Sequence, residues 1–379
     1  MGSEMKYVQI NSRGDVWADS IIFEKHRELI AEGQDSWVFW ARGQHAQDDR
    51  MKKIGSPIGV CIDALQTRID GRSGFHSRFM TKKLLEELDA IDPDIVHLHV
   101  LTGYYLNVEL LFRWLVAHRC KVIWTLHDCW AFTGHCIYFT KANCMQWKTG
   151  CACDGNKCPQ KMEYPETNAG DSSVNWSFEK KKELFTMLPP ERMELITPSQ
   201  WLADLVGESF LSKYPISVKR NQVNTDIFKP TPSDFRERYG LEDKFVVLGV
   251  ASKWSPRKGL SDFVDLSHKL SDSFSIVLIG LTEKQCKVLP DNIVKLTKTK
   301  TLTELAEAYT AADLYLTLSM EETFGMTVAE ATACGTPVAV VDGTACLESS
   351  MGAKRYIIDS DLSNLEETIL DARNERKKD

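Results

Sequence analysis

No stretch of this 379-residue chain approaches the roughly 20 consecutive apolar residues that cross a bilayer. The N-terminal MGSEMKYVQIN has no charged-then-apolar signal region. These two absences argue against an integral membrane protein and a secreted one, and the expectation is a cytoplasmic chain. Positive charge is also in deficit: 46 Lys and Arg face 53 Asp and Glu, a net charge of −7, which argues against nucleic acid as the main partner. No G-x-G-x-x-G turn occurs, so the fingerprint of a nicotinamide oxidoreductase on two dinucleotide-binding domains is missing. Paired C-x(2)-C knuckles, the signature of common zinc sites, are missing too. Cysteine itself is plentiful. There are eleven, an odd number that argues against a complete disulfide framework, and six fall between Cys129 and Cys158.

What is present is the composition of a folded globular protein, 43% apolar and 26% charged. The length suggests two or three domains at roughly 150 residues each. Short β-branched or aromatic runs alternate with helical periodicity. KYVQIN, DSWVFWA, DIVHLHV, KVIWTLHD and MELITPS read as strands of a first half; FVVLGVA, FSIVLIG, NIVKLTK, DLYLTLS and TPVAVVD read as strands of a second. Several are apolar nearly throughout, as parallel strands covered on both faces are. The pattern predicts an α/β protein of two doubly wound parallel sheets, residues 1–222 and 223–379, joined within NQVNTDIFKPTPSDFRERYG (221–240). Ligands of such sheets bind beyond the carboxyl ends of strands, so a central cleft between the two domains is the expected site.

Three strand ends carry candidate chemistry. After DLYLTLS comes EETFGMTVAEATACG, where the short Thr323, Gly325 and Thr327 leave first-turn amides open to an anion. Glu322 ahead of that turn, and Glu330 about two turns along the helix, could accept hydroxyls on either side of a diphosphate. The alternatives are a carboxylate complementing the helix dipole and a solvated helix position. After FVVLGVA comes SKWSPRKG, with Lys253 and Lys258 placed to neutralise a departing diphosphate, or simply solvated. After KVIWT comes the pair His127 and Asp128, where His127 could bind a hydroxyl or move a proton, or cap the next segment. His97 and His99 point to one side of their strand, and a structural role is expected for them. Between Cys129 and Cys158, Cys136, Cys144, Cys151 and Cys158 are spaced by seven, six and six residues in a segment poor in periodicity. A structural metal, a disulfide staple and free buried thiols are the readings open there.

The strings PDIVHLHVLTGYYLNVELLFRWL, WTLHDCWAFTGHC, KTGC…CPQKMEYP, ITPSQWLADL, ASKWSPRKG and EETFGMTVAEATACGTPV, in this order along nearly the whole chain, resemble the retaining GT-B glycosyltransferases of family 4. They are most like the bacterial exopolysaccharide enzymes of the colanic-acid type. The resemblance implies a GT-B fold, two Rossmann-like domains facing a central cleft. It also implies a UDP- or GDP-sugar donor, a glycan or lipid-linked acceptor, and no required metal or cofactor. Carried over by position, it gives Glu322 the donor sugar's hydroxyls and Glu330 the ribose hydroxyls. Lys258, with Lys253 where relatives have arginine, would hold the diphosphate; the amides of Phe324, Gly325 and Met326, with Thr327 beside them, would line the phosphate and sugar; His127 would approach the sugar from the first domain. Peripheral membrane contact by the first domain is a further implication, with SRFMTKKLLEELDAI as the candidate, although a plain surface helix packed on the sheet is the simpler reading of that segment. There are departures. The first loop, NSRGDVWADS, has a single Gly14 with bulk at Arg13 and Trp17; Gln222 replaces a glycine in NQVN; Glu348 falls near the expected acidic position. The altered loop motivates an alternative, a catalytically weak nucleotide-sugar-binding scaffold of the same fold.

Overall fold

The computed structural model describes residues 4–14, 16–45 and 49–376, without the side chains of residues 16–20, so the Trp17 side chain lies outside the described residues. The chain divides into two compact units, Met1–Lys219 and Arg220–Asp379.

The N-terminal unit is built on seven strands: β1 (Lys6–Arg13), β2 (Asp35–Arg42), β3 (Met51–Lys53), β4 (Ile95–Leu98), β5 (Lys121–Thr125), β6 (Met193–Thr197) and β7 (Ile216–Val218). They are all parallel, in the order β3-β2-β1-β4-β5-β6-β7. Val8, Ile10, Val96, Leu98, Val122 and Trp124 enter its main core, while Val38 and Trp40 of β2 pack with Ile22 and Phe23 in a smaller cluster.

The C-terminal unit has six strands: β8 (Phe245–Val250), β9 (Phe274–Ile279), β10 (Ile293–Leu296), β11 (Leu314–Thr317), β12 (Val338–Val341) and β13 (Arg355–Ile358). These too are parallel, in the order β10-β9-β8-β11-β12-β13. Successive residues of a strand point to opposite faces, and because helices cover both, both parities are apolar. Val247, Ile276, Leu278, Leu314 and Leu316 form one core, and Val246, Leu248, Val277, Ile279 and Tyr315 the other. Both sheets are therefore doubly wound α/β sheets, as the strand–helix alternation predicts. Asp313, immediately ahead of β11, pins that strand to its neighbour: its fully buried carboxylate accepts the Val246 amide at 2.7 Å and Arg236 Nη2 at 2.5 Å.

Candidate functional site

In the C-terminal sheet the strand order reverses between β8 and β11, since the chain crosses from β8 to β9 on one side and from β11 to β12 on the other. The loops leaving two such strands diverge and open a crevice at their carboxyl ends. Residues 64 apart in sequence meet here. Lys258 closes the short turn Pro256–Lys258, and its Nζ forms an ion pair with Glu322 Oε1. Arg257 Nη1 lies 3.7 Å from the same oxygen and also donates to the Glu321 carbonyl. Ser319 Oγ donates to Glu322 Oε1 at 2.7 Å. Burial pushes the Glu322 carboxyl up, but Lys258, Arg257 and the Ser319 hydroxyl outweigh it and hold the group below its ordinary range. At neutral pH it is an ionised, acceptor-only carboxylate. Gly259 makes the approach feasible. Its φ is +73°, and a Cβ there would stand 2.6 Å from Leu318 Cβ, so a side chain would push the basic turn off the end of β11.

The following helix, Met326–Ala333, begins at Met326 because Gly325 ahead of it is left-handed, φ 86° and ψ 62°. Glu330 is therefore just over one turn into the helix, not the two that spacing suggested. Helix geometry leaves the first-turn amides of Met326 and Thr327 without an intrahelical acceptor, and the Thr327 hydroxyl receives Tyr315 OH at 2.8 Å. Phe324 is buried. Glu330 is only 1% exposed and accepts Tyr309 OH at 2.9 Å. Burial pushes its carboxyl up to about 7, with the Tyr309 bond pulling the other way. Lys253 is exposed and takes no part in the Glu322 cluster. Arg257, Ser319 and Tyr309 were not among the expected residues. Arg257 had a signal in the basic doublet of SPRKG; the other two had none short of the fold.

In the N-terminal unit, His127 follows β5 and stands at the end of a column of three imidazoles. His97 and His99 ring centroids are 4.1 Å apart, His99 and His127 5.6 Å. His99 Nδ1 lies 3.3 Å from His127 Nε2. His97 meets Tyr7 OH at 2.8 Å and Thr125 Oγ1 at 2.7 Å, which is a structural role. Burial depresses His97 to about 3 and His127 to about 4, so the column is neutral at pH 7 and His127 acts as a hydrogen-bonding group rather than a cation. Asp128, pushed up to about 6 by burial, accepts the Trp130 amide at 2.9 Å. Behind it, fully buried Lys181 donates to the Trp130 carbonyl at 2.7 Å. Its place in the run EKKKE reads as solvated, and only tertiary packing reveals it.

The family model "Glycosyl transferases group 1" matches residues 233–378. Among curated relatives, a protein named as a colanic acid biosynthesis glycosyl transferase, WcaC of Escherichia coli (strain K12), is 34% identical over 117 residues, 30% of this chain and 27% of its own length. The chain thus spans about a quarter of that relative. Among solved structures, sucrose-phosphate synthase of Thermosynechococcus elongatus superposes with a TM-score of 0.70 at 14% identity, over 98% of this chain and 90% of that one. Anabaena Alr3699/HepE, solved in complex with UDP-glucose, gives 0.62 at 14% identity over 99% and 91%. This chain has the GT-B fold.

In the cysteine segment of this GT-B chain the structure shows one of the three open readings, free thiols. All eleven thiols are unbridged. Among the described residues no group of three or more His, Cys, Asp or Glu is placed to hold a metal ion. Cys136, Cys144, Cys151 and Cys158 line, with buried His135, one cavity of about 10 Å³, room for about one water. What orders the segment instead is apolar packing. Phe132, Phe139 and Trp147, each 2% exposed or less, have ring centroids 5.0 to 6.3 Å apart. These three aromatics pack the segment into one cluster.

Proposed function

We propose that the protein is a retaining glycosyltransferase that moves a hexose from a nucleotide-diphosphate sugar, UDP- or GDP-linked, to a glycan or lipid-linked acceptor in surface polysaccharide or glycoconjugate biosynthesis. The observation that carries this reading is the meeting of Glu322, Lys258 and Arg257 at the switch point, beside the open first-turn amides of the helix at Met326. An ionised carboxylate suits neutral hydroxyls, while cations and amides suit a diphosphate; the two chemistries lie side by side as a sugar diphosphate requires. The UDP-glucose in HepE and the name of WcaC support the donor class and the process.

In this mechanism Glu322 accepts hydrogen bonds from the donor sugar's hydroxyls and Glu330, oriented by Tyr309, from those of the ribose. Amides of Phe324, Gly325 and Met326 and the neighbouring Thr327 line the phosphate. Lys258 exchanges its partner Glu322 for the diphosphate and, with Arg257 and Lys253, stabilises the charge that grows as the sugar leaves. A phosphate oxygen of the donor takes the proton of the incoming hydroxyl on the same face, which retains the anomeric configuration without a metal. His127, neutral, is the first domain's hydrogen-bond partner for the sugar.

The test is turnover with product stereochemistry by NMR, after a thermal-shift screen of UDP- and GDP-sugars; a ligand at 100 times its Kd stabilises by about 2.7 kcal/mol. Lys258→Ala should lower turnover about a hundredfold. Glu322→Gln should weaken the sugar-bearing donor but not the bare nucleotide diphosphate. An inverted product anomer refutes the mechanism, and donor binding without turnover in the parent protein assigns the chain to a binding scaffold.

A further inference from the structure

In the N-terminal sheet three neighbouring strands end on cations. β1 closes on Arg13, β2 on Arg42 and β3 on Lys53. Arg13 pairs in register with Arg42, and Lys53 with Trp40, two residues before Arg42. The alternation of side chains along a strand therefore sets all three on one face of the sheet. Cations side by side on adjacent strands repel one another, and these stand on a chain of net charge −7. They also stand at the carboxyl edge, where open α/β sheets take their ligands. An anion bound there would turn the repulsion into attraction.

Arg42 is the centre of this edge. It is half-buried, its Nε is fully buried without a hydrogen-bond acceptor, and among the described residues no carboxylate forms an ion pair with it. A buried donor left unmet in a folded protein calls for an explanation. The loop after β4 is shaped around this guanidinium. At Gly103, φ +125°, a Cβ would stand 2.9 Å from Ser12 Cβ and 3.4 Å from Arg42 Nη2. Tyr104 follows at φ +64°, a left-handed conformation that is rare for a bulky residue and typical of sites where a side chain must be aimed. Its ring meets that of Tyr164 edge-on, centroids 5.6 Å apart. Burial raises both phenols, and the Arg42 charge opposes the rise at each. Tyr164 also faces Asp128, so the cluster lies beside the residue that follows His127. The acidic groups around it are engaged elsewhere: Glu166 bonds Arg68 at 2.7 Å, Asp63 takes the Thr67 and Ser77 hydroxyls, and Asp128 accepts the Trp130 amide.

We propose that Arg42 anchors an oxyanion subsite, and that the acceptor is a sugar carrying a carboxylate or a phosphate. The inference rests on the transferase reading and adds the chemical class of the acceptor. The Arg42 fork receives two oxygens of the anion at once. Tyr104 and Tyr164 supply phenolic donors and ring faces for the body of the sugar. Lys53, whose Nζ donates to the carbonyl of Gly43 next to Arg42 at 2.8 Å, and Arg13 add to the positive field. The donor's diphosphate is not the anion in question. It has Lys258, Arg257 and open helix amides in the C-terminal unit, so a separate set of cations on the other sheet answers to a second anion.

The experiment measures binding of three probes to the full chain without donor, by saturation-transfer NMR and calorimetry: methyl glucuronide, glucose 6-phosphate and the neutral methyl glucoside. At least one anionic sugar should bind about tenfold more tightly than the glucoside, an advantage that high salt reduces. The glucuronide leading assigns a carboxylate, and the sugar phosphate leading assigns a phosphate. Arg42→Gln should remove the advantage. Arg42→Lys should keep part of it, because an ammonium retains the charge but not the fork. Tyr164→Phe, which deletes one oxygen, should reduce it about threefold. Unchanged UDP affinity in Arg42→Gln shows that the variant folds. Equal binding of the three probes, binding of none, or an anionic preference that survives Arg42→Gln overturns the proposal. A loss of UDP affinity in Arg42→Gln as large as the loss of anionic sugar assigns Arg42 to the donor diphosphate and overturns it too. Failure of the transferase reading looks different: the parent protein neither binds nor hydrolyses a UDP- or GDP-sugar, whatever the three probes do at Arg42.

Discussion

Glu330 offers the most direct physical test of the site. Its carboxyl is 1% exposed, with Tyr309 OH 2.9 Å away, and burial raises it from 4.5 to about 7 in the folded chain. A raised carboxyl means that the folded state keeps a proton the unfolded chain releases. Stability from this group is therefore complete below about pH 4.5, falls as pH rises to about 7, and is flat above. The difference, 7 minus 4.5 at about 1.4 kcal/mol for each pH unit, comes to about 3 kcal/mol by pH 8. Glu330→Gln keeps a carbonyl for Tyr309 and removes the charge. It should match the parent near pH 4.5 and exceed it by up to about 3 kcal/mol near pH 8, a rise of several degrees at about 2–4 °C per kcal/mol. Calorimetric melting of the full chain at both pH values reads this directly. An equal difference between variant and parent at the two pH values refutes the reasoning. The ribose assignment adds a second readout. Hydroxyls donating to this group favour its ionised form, so nucleotide diphosphate binding near pH 7 should release a fraction of a proton, detected in calorimetry with buffers of different ionisation enthalpy. Proton release undiminished in Glu330→Gln would remove Glu330 from the site.

Three other changes probe the two units separately. Asp313→Ala leaves Arg236 and the Val246 amide without their buried partner and should destabilise the C-terminal unit by about 3–5 kcal/mol in denaturant titration; a loss below 1 kcal/mol would show that the buried pair contributes little. Trp147→Ala should cost about 3–5 kcal/mol and expose Cys136 and Cys151 to a thiol reagent, while Cys144→Ser leaves both shielded; the reverse order would return the cysteines to the role of staple. His97 runs opposite to Glu330. Its folded value of about 3 lies below the ordinary 6.5, so its contribution is complete above about pH 6.5 and lost as pH falls toward 3, and His97→Gln should flatten the acid limb of the N-terminal unit's melting curve.

Of the thirteen strands among the described residues, the sequence named ten, because a parallel strand covered on both faces is apolar along its length. The three it missed, β3, β7 and β13, are sheet edges of three or four residues, mostly half-exposed. An edge strand takes its hydrogen bonds from one neighbour and needs no apolar run to announce it. The same local logic placed Glu322, Lys258 and His127 at strand ends. It could not join Glu322 to Lys258, because the contact depends on which strands lie side by side, and that is a property of the sheet order. It also named Lys253, which stands in solvent, and passed over Arg257, which reaches the carboxylate.

Sequence alone determined the fold class, the two-part grammar and the residue types at the strand ends, since periodicity and turn chemistry are local and survive in one dimension. Tertiary structure alone decided which charges meet, which carboxylate is ionised and which is pushed to about 7, and that Lys181 of a basic run is buried while Ile58, Ile62, Leu65 and Ile69 of an apolar helix face water. Burial and electrostatic environment are set by neighbours distant in the chain, and no window along the sequence contains them.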